Sequence, residues 1–424
     1  MKLEYQSGFA NHFSSEVEPN LLPIGQNSPQ KMPHGLITEQ LSGSAFTAPR
    51  KSNYRTWFYR TFPIASQGSA LKKIYDHYWV TPPFAKTVIT PERLLWYPIA
   101  HDGKPKNFIE SVHTLAVNGD ATQRFGSSVH LFCFQKTMGN DFFSNADGDL
   151  LIVPYAGKIL CRTEFGNLEI EPSEVLIIQR GMIFQLDAID GEASGYICEN
   201  FGAHFELPDL GVIGSNGLAN ARDFKVPTAS YQSDPKPSQL VTKFGGSFFS
   251  SQLNASPFNV MAWHGNYVPY KYDLRHFNVI NTVSFDHPDP SIFTVLTSPT
   301  SNPGVANVDF VVFPPRWMVA EHTFRPPWYH RNIMSEYMGL IAGVYDAKDS
   351  GTFTPGCGLL HNCMSAHGPD TTNYAKGTSD ELKPVKYTDT LAFMFETSLY
   401  YLPTEHSLKD LSRMTDYWKV WQWK

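Results

Sequence analysis

The residues whose types and spacing can do chemistry lie in the last quarter of the chain. His330 and Glu336 fall in the string from Pro326 to Glu336, and His361 and His367 in the string from Leu360 to Gly368. Two imidazoles and one carboxylate on the same side of an ion form a 2-His-1-carboxylate site, which leaves positions on Fe(II) open for substrate and dioxygen. On an extended strand the step from His330 to Glu336 spans ~20 Å, and on a helix it turns the two side chains ~240° apart. Neither element alone brings both to a metal at ~2 Å, so the chain must fold back between them. Arg331 and Asn332 can supply that bend, and Glu336 to Ile341 then reads as the returning strand. Spacing leaves open whether His361 or His367 gives the second imidazole.

The elements that must hold these residues read as strands. Val112 to Gln135, Leu150 to Arg162, Leu168 to Leu186 and Val308 to Phe313 are rich in Val, Ile, Phe and Tyr and bounded by Gly, Pro, Asn or Asp. That is the pattern of an all-β sandwich or barrel. Asp147-Gly148-Asp149 opens a strand, Glu164 to Asn167 reads as a turn, and Pro172-Ser173-Glu174 precedes another strand, so two hairpins are expected. The clearest helical stripe is Leu408, Leu411, Met414, Tyr417, Trp418 and Trp421, expected to pack its rings on the body. A polar stretch from Ser230 to Ser256 and a Pro-rich one at Asp286 to Pro290 suggest a boundary near residue 284. Residues 1–284 are expected to form a larger N-terminal β-sandwich without metal, with a structural and assembly role, and residues 285–424 a C-terminal domain carrying the site.

Composition narrows the class. With 424 residues, 42% of them hydrophobic and 17% charged, the chain can build a large core and is not disordered. A formal net charge of -6 disfavours nucleic acid as a partner. Five scattered cysteines indicate reduced thiols rather than a disulfide framework, and no apolar run approaches the ~20 residues of a membrane span. A cytoplasmic protein is the expectation. The sequence has no GxGxxG, GxxxxGK[ST], HExxH or GxSxG motif, which disfavours nucleotide cofactors and serine hydrolysis.

His330-x-Asn332-x3-Glu336-x6-Gly343 resembles the first cupin motif with its second histidine replaced by Asn, and Pro355-x2-Gly358-x2-His361 is a loose version of the second. The longer strings Tyr5 to Phe13, Phe324 to Asn332, Met334 to Glu336 and Phe393 to Glu396 resemble the homogentisate 1,2-dioxygenase family, and the resemblance runs from end to end. It implies mainly β, cupin/jelly-roll type sandwiches with few helices. It also implies Fe(II)- and O2-dependent opening of the homogentisate ring to maleylacetoacetate in tyrosine and phenylalanine catabolism. On that resemblance His330, Glu336 and His367 hold the iron and His361 stands behind them. His287 is the acid/base that takes the phenolic proton as a ring hydroxyl approaches iron, and Tyr345 and His367 contact the substrate. The family's homohexamer of two trimers is the expected assembly. Glu174 to Phe184 has the cadence of a second cupin motif with Phe184 at a ligand position, consistent with one metal site per chain.

Two other readings share these residues: a ring-cleaving dioxygenase acting on a different aromatic acid, and a non-catalytic cupin, which the intact ligand set disfavours. Arg331 and Asn332 flank the first ligand as possible contacts for the substrate carboxylate. Arg316 and Arg325 are expected instead to brace the fold through backbone carbonyls.

Overall fold

The computed structural model describes residues 3–423 apart from 67, 75, 76, 100–102, 233–236, 287, 288, 346, 349 and 350. His287 therefore lies outside the described residues. The architecture is mainly β, as the alternation of β-branched and aromatic residues with turn formers predicts. A nine-stranded sheet, a seven-stranded sheet and a six-stranded sheet carry most of the chain.

These three sheets stack in layers. In the nine-stranded sheet the strands Ser127–Phe134 and Ala193–Asn200 are buried along their whole length, so both faces are covered. On one face Phe132 and Phe134 meet Phe108, which also reaches Phe184 of the seven-stranded sheet. On the other, Tyr196 lies edge-on to Phe393 at 4.9 Å and donates to the carbonyls of Leu340 (3.0 Å) and Cys357 (2.9 Å) in the C-terminal part. The hydrophobic core is accordingly continuous across both halves of the chain. Full burial of each large apolar side chain contributes roughly 1.5–3 kcal/mol.

The six-stranded sheet positions the site. Its order is Thr294–Pro299, Ala306–Phe313, Thr390–Thr397, Ser335–Gly343, Gly358–His361 and Leu94–Trp96. The edge strand Leu94–Trp96 comes from far upstream and pairs antiparallel with Gly358–His361. Conversely, Leu402–Pro403 near the C-terminus joins the nine-stranded sheet beside His113–Val117.

Two local expectations are corrected. Ile159–Thr163 and Gly166–Ile170 do form a hairpin, but Asp149–Ala156 and Glu174–Ile178 pair with each other in the opposite sheet. The chain crosses between layers where a second hairpin was expected, because each strand buries its apolar face against a different partner. The C-terminal stripe is not one helix. A short helix Glu405–Lys409 and a 3-10 turn Tyr417–Trp421 flank an extended piece, where Met414 N–H donates to Leu95 C=O and Tyr97 N–H to Ser412 C=O. Pairing with the edge strand Leu94–Trp96 outweighs helical periodicity there. Among the described residues no helix is long and apolar enough to cross a membrane. All five cysteines are free thiols.

Candidate metal centre

Glu336 is the second residue of the strand Ser335–Gly343, where it faces His361 on one neighbouring strand and Glu396 on the other. His330 lies beyond the bend at Arg331 and Asn332, and it pairs not with its own strand but with His367. The N–H of His330 donates to His367 C=O at 2.9 Å, and the N–H of His367 donates to His330 C=O at 3.1 Å. This bridge sets the two imidazoles side by side, with ring centroids 4.2 Å apart.

Both rings are aimed the same way. His330 Nδ1 lies 2.8 Å from Trp328 C=O and His367 Nδ1 2.8 Å from Ser365 C=O, so each Nδ1–H donates to the carbonyl two residues upstream. A backbone carbonyl only accepts, so Nδ1 carries a proton and Nε2 is the nitrogen left to face Glu336 or a metal. His367 Nε2 approaches Glu336 Oε2 at 2.9 Å and His330 Nε2 approaches Oε1 at 3.6 Å. The three ligand atoms lie within 4.8 Å of one another. Burial opposes ionisation of Glu336, but the hydrogen bonds to His330 and His367 outweigh it and hold the carboxyl well below its usual range. An ionised carboxylate and two Nε2 atoms converging on one point fit a divalent first-row metal, which would displace the protons shared there.

Asn332, at the position where the cupin pattern has histidine, does not point to the same spot as a donor set. Its Oδ1 accepts from Met334 N–H (3.0 Å), which turns Nδ2 to donate to Glu336 (3.1 Å) and Glu396 (2.8 Å). Burial, reinforced by the nearby Glu336 charge, raises Glu396 to about 7. His361 stands behind His367, their rings stacked at 4.1 Å, and its Nε2 lies 3.3 Å from the Tyr417 hydroxyl. Burial pushes the His361 imidazole well below its ordinary value, with further lowering by His367 and Lys348. Tyr345 is buried at the end of the same strand region, edge-on to Phe313 and Phe353.

A cavity of about 260 Å³ opens onto the triad. Its wall includes Tyr345, His361, Asn332 and Arg331, and Asp289 and Pro290 enter it just downstream of His287 in sequence. Arg325 donates to the carbonyls of Ala320 and Lys383, and Arg316 to that of Pro314, the bracing role expected of them. Sequence reasoning passed over two groups: Lys348, buried in the cavity wall, and Trp421, whose Nε1–H donates to Gly368 C=O at 3.2 Å. No local pattern marks either, because both reach the site through long-range packing.

Comparison with known proteins decides the class. The family model for the N-terminal part of homogentisate 1,2-dioxygenase matches residues 4–274, and that for the C-terminal part matches residues 275–423. The chain belongs to the homogentisate 1,2-dioxygenase family. It is thus a ring-cleaving dioxygenase acting on homogentisate and O2, and a metal cofactor accompanies that chemistry. Among solved structures, it is similar to a putative glyoxylate-induced protein from Pseudomonas aeruginosa at 10% identity and TM-score 0.32, over 78% of this chain and 96% of that one. A cupin 2 conserved barrel domain protein from Leptotrichia buccalis is similar at 10% identity and TM-score 0.27, covering 69% and 91%. The nickel(II) complex of the bacterial pirin YhhW from Escherichia coli is similar at 7% identity and TM-score 0.25, covering 75% and 97%.

Proposed function

We propose that the metal of this homogentisate 1,2-dioxygenase family member is Fe(II), held by His330, Glu336 and His367. The observation that carries the reading is the common aim of the two Nε2 atoms at the Glu336 carboxylate, each with its Nδ1–H tied to a backbone carbonyl. When bound, Fe(II) supplies the accessible redox change and open positions that dioxygen chemistry needs, which zinc lacks.

The chain's own residues then do the rest. Apolar side chains of the cavity seat the aromatic ring, and His367 and Tyr345 line the place where it lies. His287 accepts the proton of the ring hydroxyl, a task suited to an imidazole with an ordinary pKa near ~6.5. The loop before it is pinned at Asp286, whose N–H donates to Thr323 Oγ1 at 3.1 Å. His361 braces His367 from behind through ring stacking. Residues 285–424 make up the catalytic part and residues 1–284 a structural one that also serves assembly. The family resemblance supports a cytoplasmic homohexamer of two trimers.

The test is oxygen uptake by anaerobically Fe(II)-loaded protein on addition of homogentisate, with a His367→Ala variant alongside. Uptake of one O2 per homogentisate with a ring-opened product, lost in the variant, supports both ion and ligands. Equal uptake by the variant overturns the ligand assignment, and activity with zinc alone overturns the metal. Mass photometry giving only a monomer removes the hexamer.

A further inference from the structure

The site as described accounts for the ring hydroxyl and for dioxygen, but not for the carboxylate that makes the substrate an anion. We propose that Lys348 binds that carboxylate, an assignment resting on the ring-cleaving reading above.

Lys348 lines the same cavity as His330, Glu336 and His367, and only 5% of it is exposed. Its ammonium donates to Gly368 C=O at 3.0 Å, so it sits one residue along the chain from the proposed ligand His367. Its other close neighbours are aromatic faces, Trp421 at 4.3 Å and Tyr417 at 5.6 Å from the ring centroids. Among the described residues none of the ion pairs includes Lys348; burial lowers it to about 7, and of the charges nearby Asp370 raises it and Arg93 lowers it. An ammonium has three donors, and Gly368 occupies one. This buried amine has already lost its water and makes no ion pair among the described residues, so an anion beside it favours its charged form. It is therefore matched to an anion arriving through the cavity.

The alternatives in the wall are weaker. Arg331 also lines the cavity but is exposed, where a charge pair contributes little. Arg93 is not among the lining residues; it is tied to Ala366 C=O at 3.1 Å and lies 4.2 Å from the Trp421 ring centroid. The cavity wall is otherwise rich in apolar side chains, among them Phe293, Phe313, Met338, Leu359 and Met394. The substrate's carboxymethyl group and one hydroxyl occupy neighbouring ring carbons. The group that binds the carboxylate must then lie close to the group that binds the hydroxyl, as Lys348 does through Gly368.

The experiment measures anaerobic equilibrium binding to metal-loaded protein of two probes, homogentisate and methylhydroquinone, which has methyl in place of the carboxymethyl group. Wild type is expected to prefer homogentisate. Lys348→Met is expected to weaken homogentisate binding by about 10- to 100-fold, the range for a hydrogen bond to a charged group. Its binding of methylhydroquinone should change by less than about threefold, and Lys348→Arg should keep most of the preference. Unchanged homogentisate binding in Lys348→Met, or an equal loss of both probes, overturns the assignment. Should that variant not fold, judged by circular dichroism, wild type decides: equal affinity for the two probes overturns the assignment. Failure of the underlying reading looks different, because wild type then binds neither probe.

Discussion

His330 and His367 are held together by reciprocal backbone hydrogen bonds of 2.9 and 3.1 Å, an isolated two-residue ladder between segments 37 positions apart in sequence. Their side chains inherit the alignment, so the imidazole pair is set by main chain rather than by side-chain packing alone. A metal arriving at Glu336 meets donors already aimed, which lowers the ordering cost of coordination.

That arrangement makes the fold largely independent of the ion. The backbone bridge between His330 and His367 does not involve the ligand atoms, and both strings are also tied to the body by main-chain and side-chain hydrogen bonds. Chelation is expected to abolish oxygen uptake while leaving the β-type circular dichroism intact. Stability should fall only by the linkage amount, about 2.7 kcal/mol for an ion present at 100 times its Kd. Global unfolding on chelation would show instead that the metal organises the two strings.

Asn332 carries a second consequence. Its amide joins Glu336 and Glu396, two acids opposite each other on adjacent strands. Asn332→Ala removes that donor and brings the carboxylates into unrelieved repulsion. We expect a loss of roughly 1–3 kcal/mol in denaturant unfolding. Metal affinity should fall about 10- to 100-fold, as for other lost outer partners of ligands. A competition titration against a chelator, run on the same preparation, checks the second value; unchanged affinity would confine Asn332 to a stability role.

Much of this was legible in sequence, and the rest was hidden for a physical reason. The strand carrying Glu336 and the bend at Arg331 and Asn332 follow from local composition and from the length of six residues. So do the buried strands around Val129, Ile152 and Ile177. The choice between His361 and His367 does not, because it depends on which backbone pairs with His330. Lys348 and Trp421 were invisible for the same reason. The broken C-terminal helix shows the converse case: a clear 3.6-residue periodicity over Leu408 to Trp421 yields to an available strand edge at Leu94–Trp96.

The N-terminal sandwich holds a buried cation of its own between facing sheets. Lys243 Nζ lies 2.8 Å from Asp147 and 2.7 Å from Glu199, and Glu199 also meets His130 Nε2 (3.2 Å) and the Trp79 indole N–H (2.9 Å). Burial opposes ionisation of Glu199, yet Lys243 and His130 bring it down to about 2. Lys243→Met leaves two buried acids without their cation and should cost roughly 3–5 kcal/mol. Adding Glu199→Gln should recover part of that loss. Additive losses in this double-mutant cycle would show that the charges do not act together.

A pH effect is expected from His204. Its Nδ1 lies 2.6 Å from Asp149 and its Nε2 2.6 Å from Gly43 C=O, so both nitrogens face acceptors and the ring is an imidazolium. Burial opposes this charge, but Asp149 outweighs it and raises the imidazole above its ordinary 6.5. A raised histidine contributes stability that is complete below about 6.5 and lost as pH rises through the folded value. Wild type should therefore lose melting temperature between pH 6 and pH 9 relative to His204→Gln. Parallel pH profiles for the two proteins would show that the ring is neutral in the fold.

Trp421 closes the back of the centre. Arg93 lies 4.2 Å over its ring and Lys348 4.3 Å, while its Nε1–H shares Gly368 C=O with the Lys348 ammonium. Arg93 also donates to Ala366 C=O. The carbonyls on both sides of His367 are thus held by side chains that Trp421 keeps in place, each ring–cation contact contributing about 0.5–2 kcal/mol. Trp421→Ala should loosen the His367 segment and lower metal affinity by about tenfold or more, as loss of ligand-orienting partners does elsewhere. Trp421→Phe keeps a ring but not the donor, so its loss should be smaller. Hydrogen exchange of the His367 amide reports the loosening directly. Wild-type protection in Trp421→Ala would mean that the His330 bridge alone suffices to hold the segment.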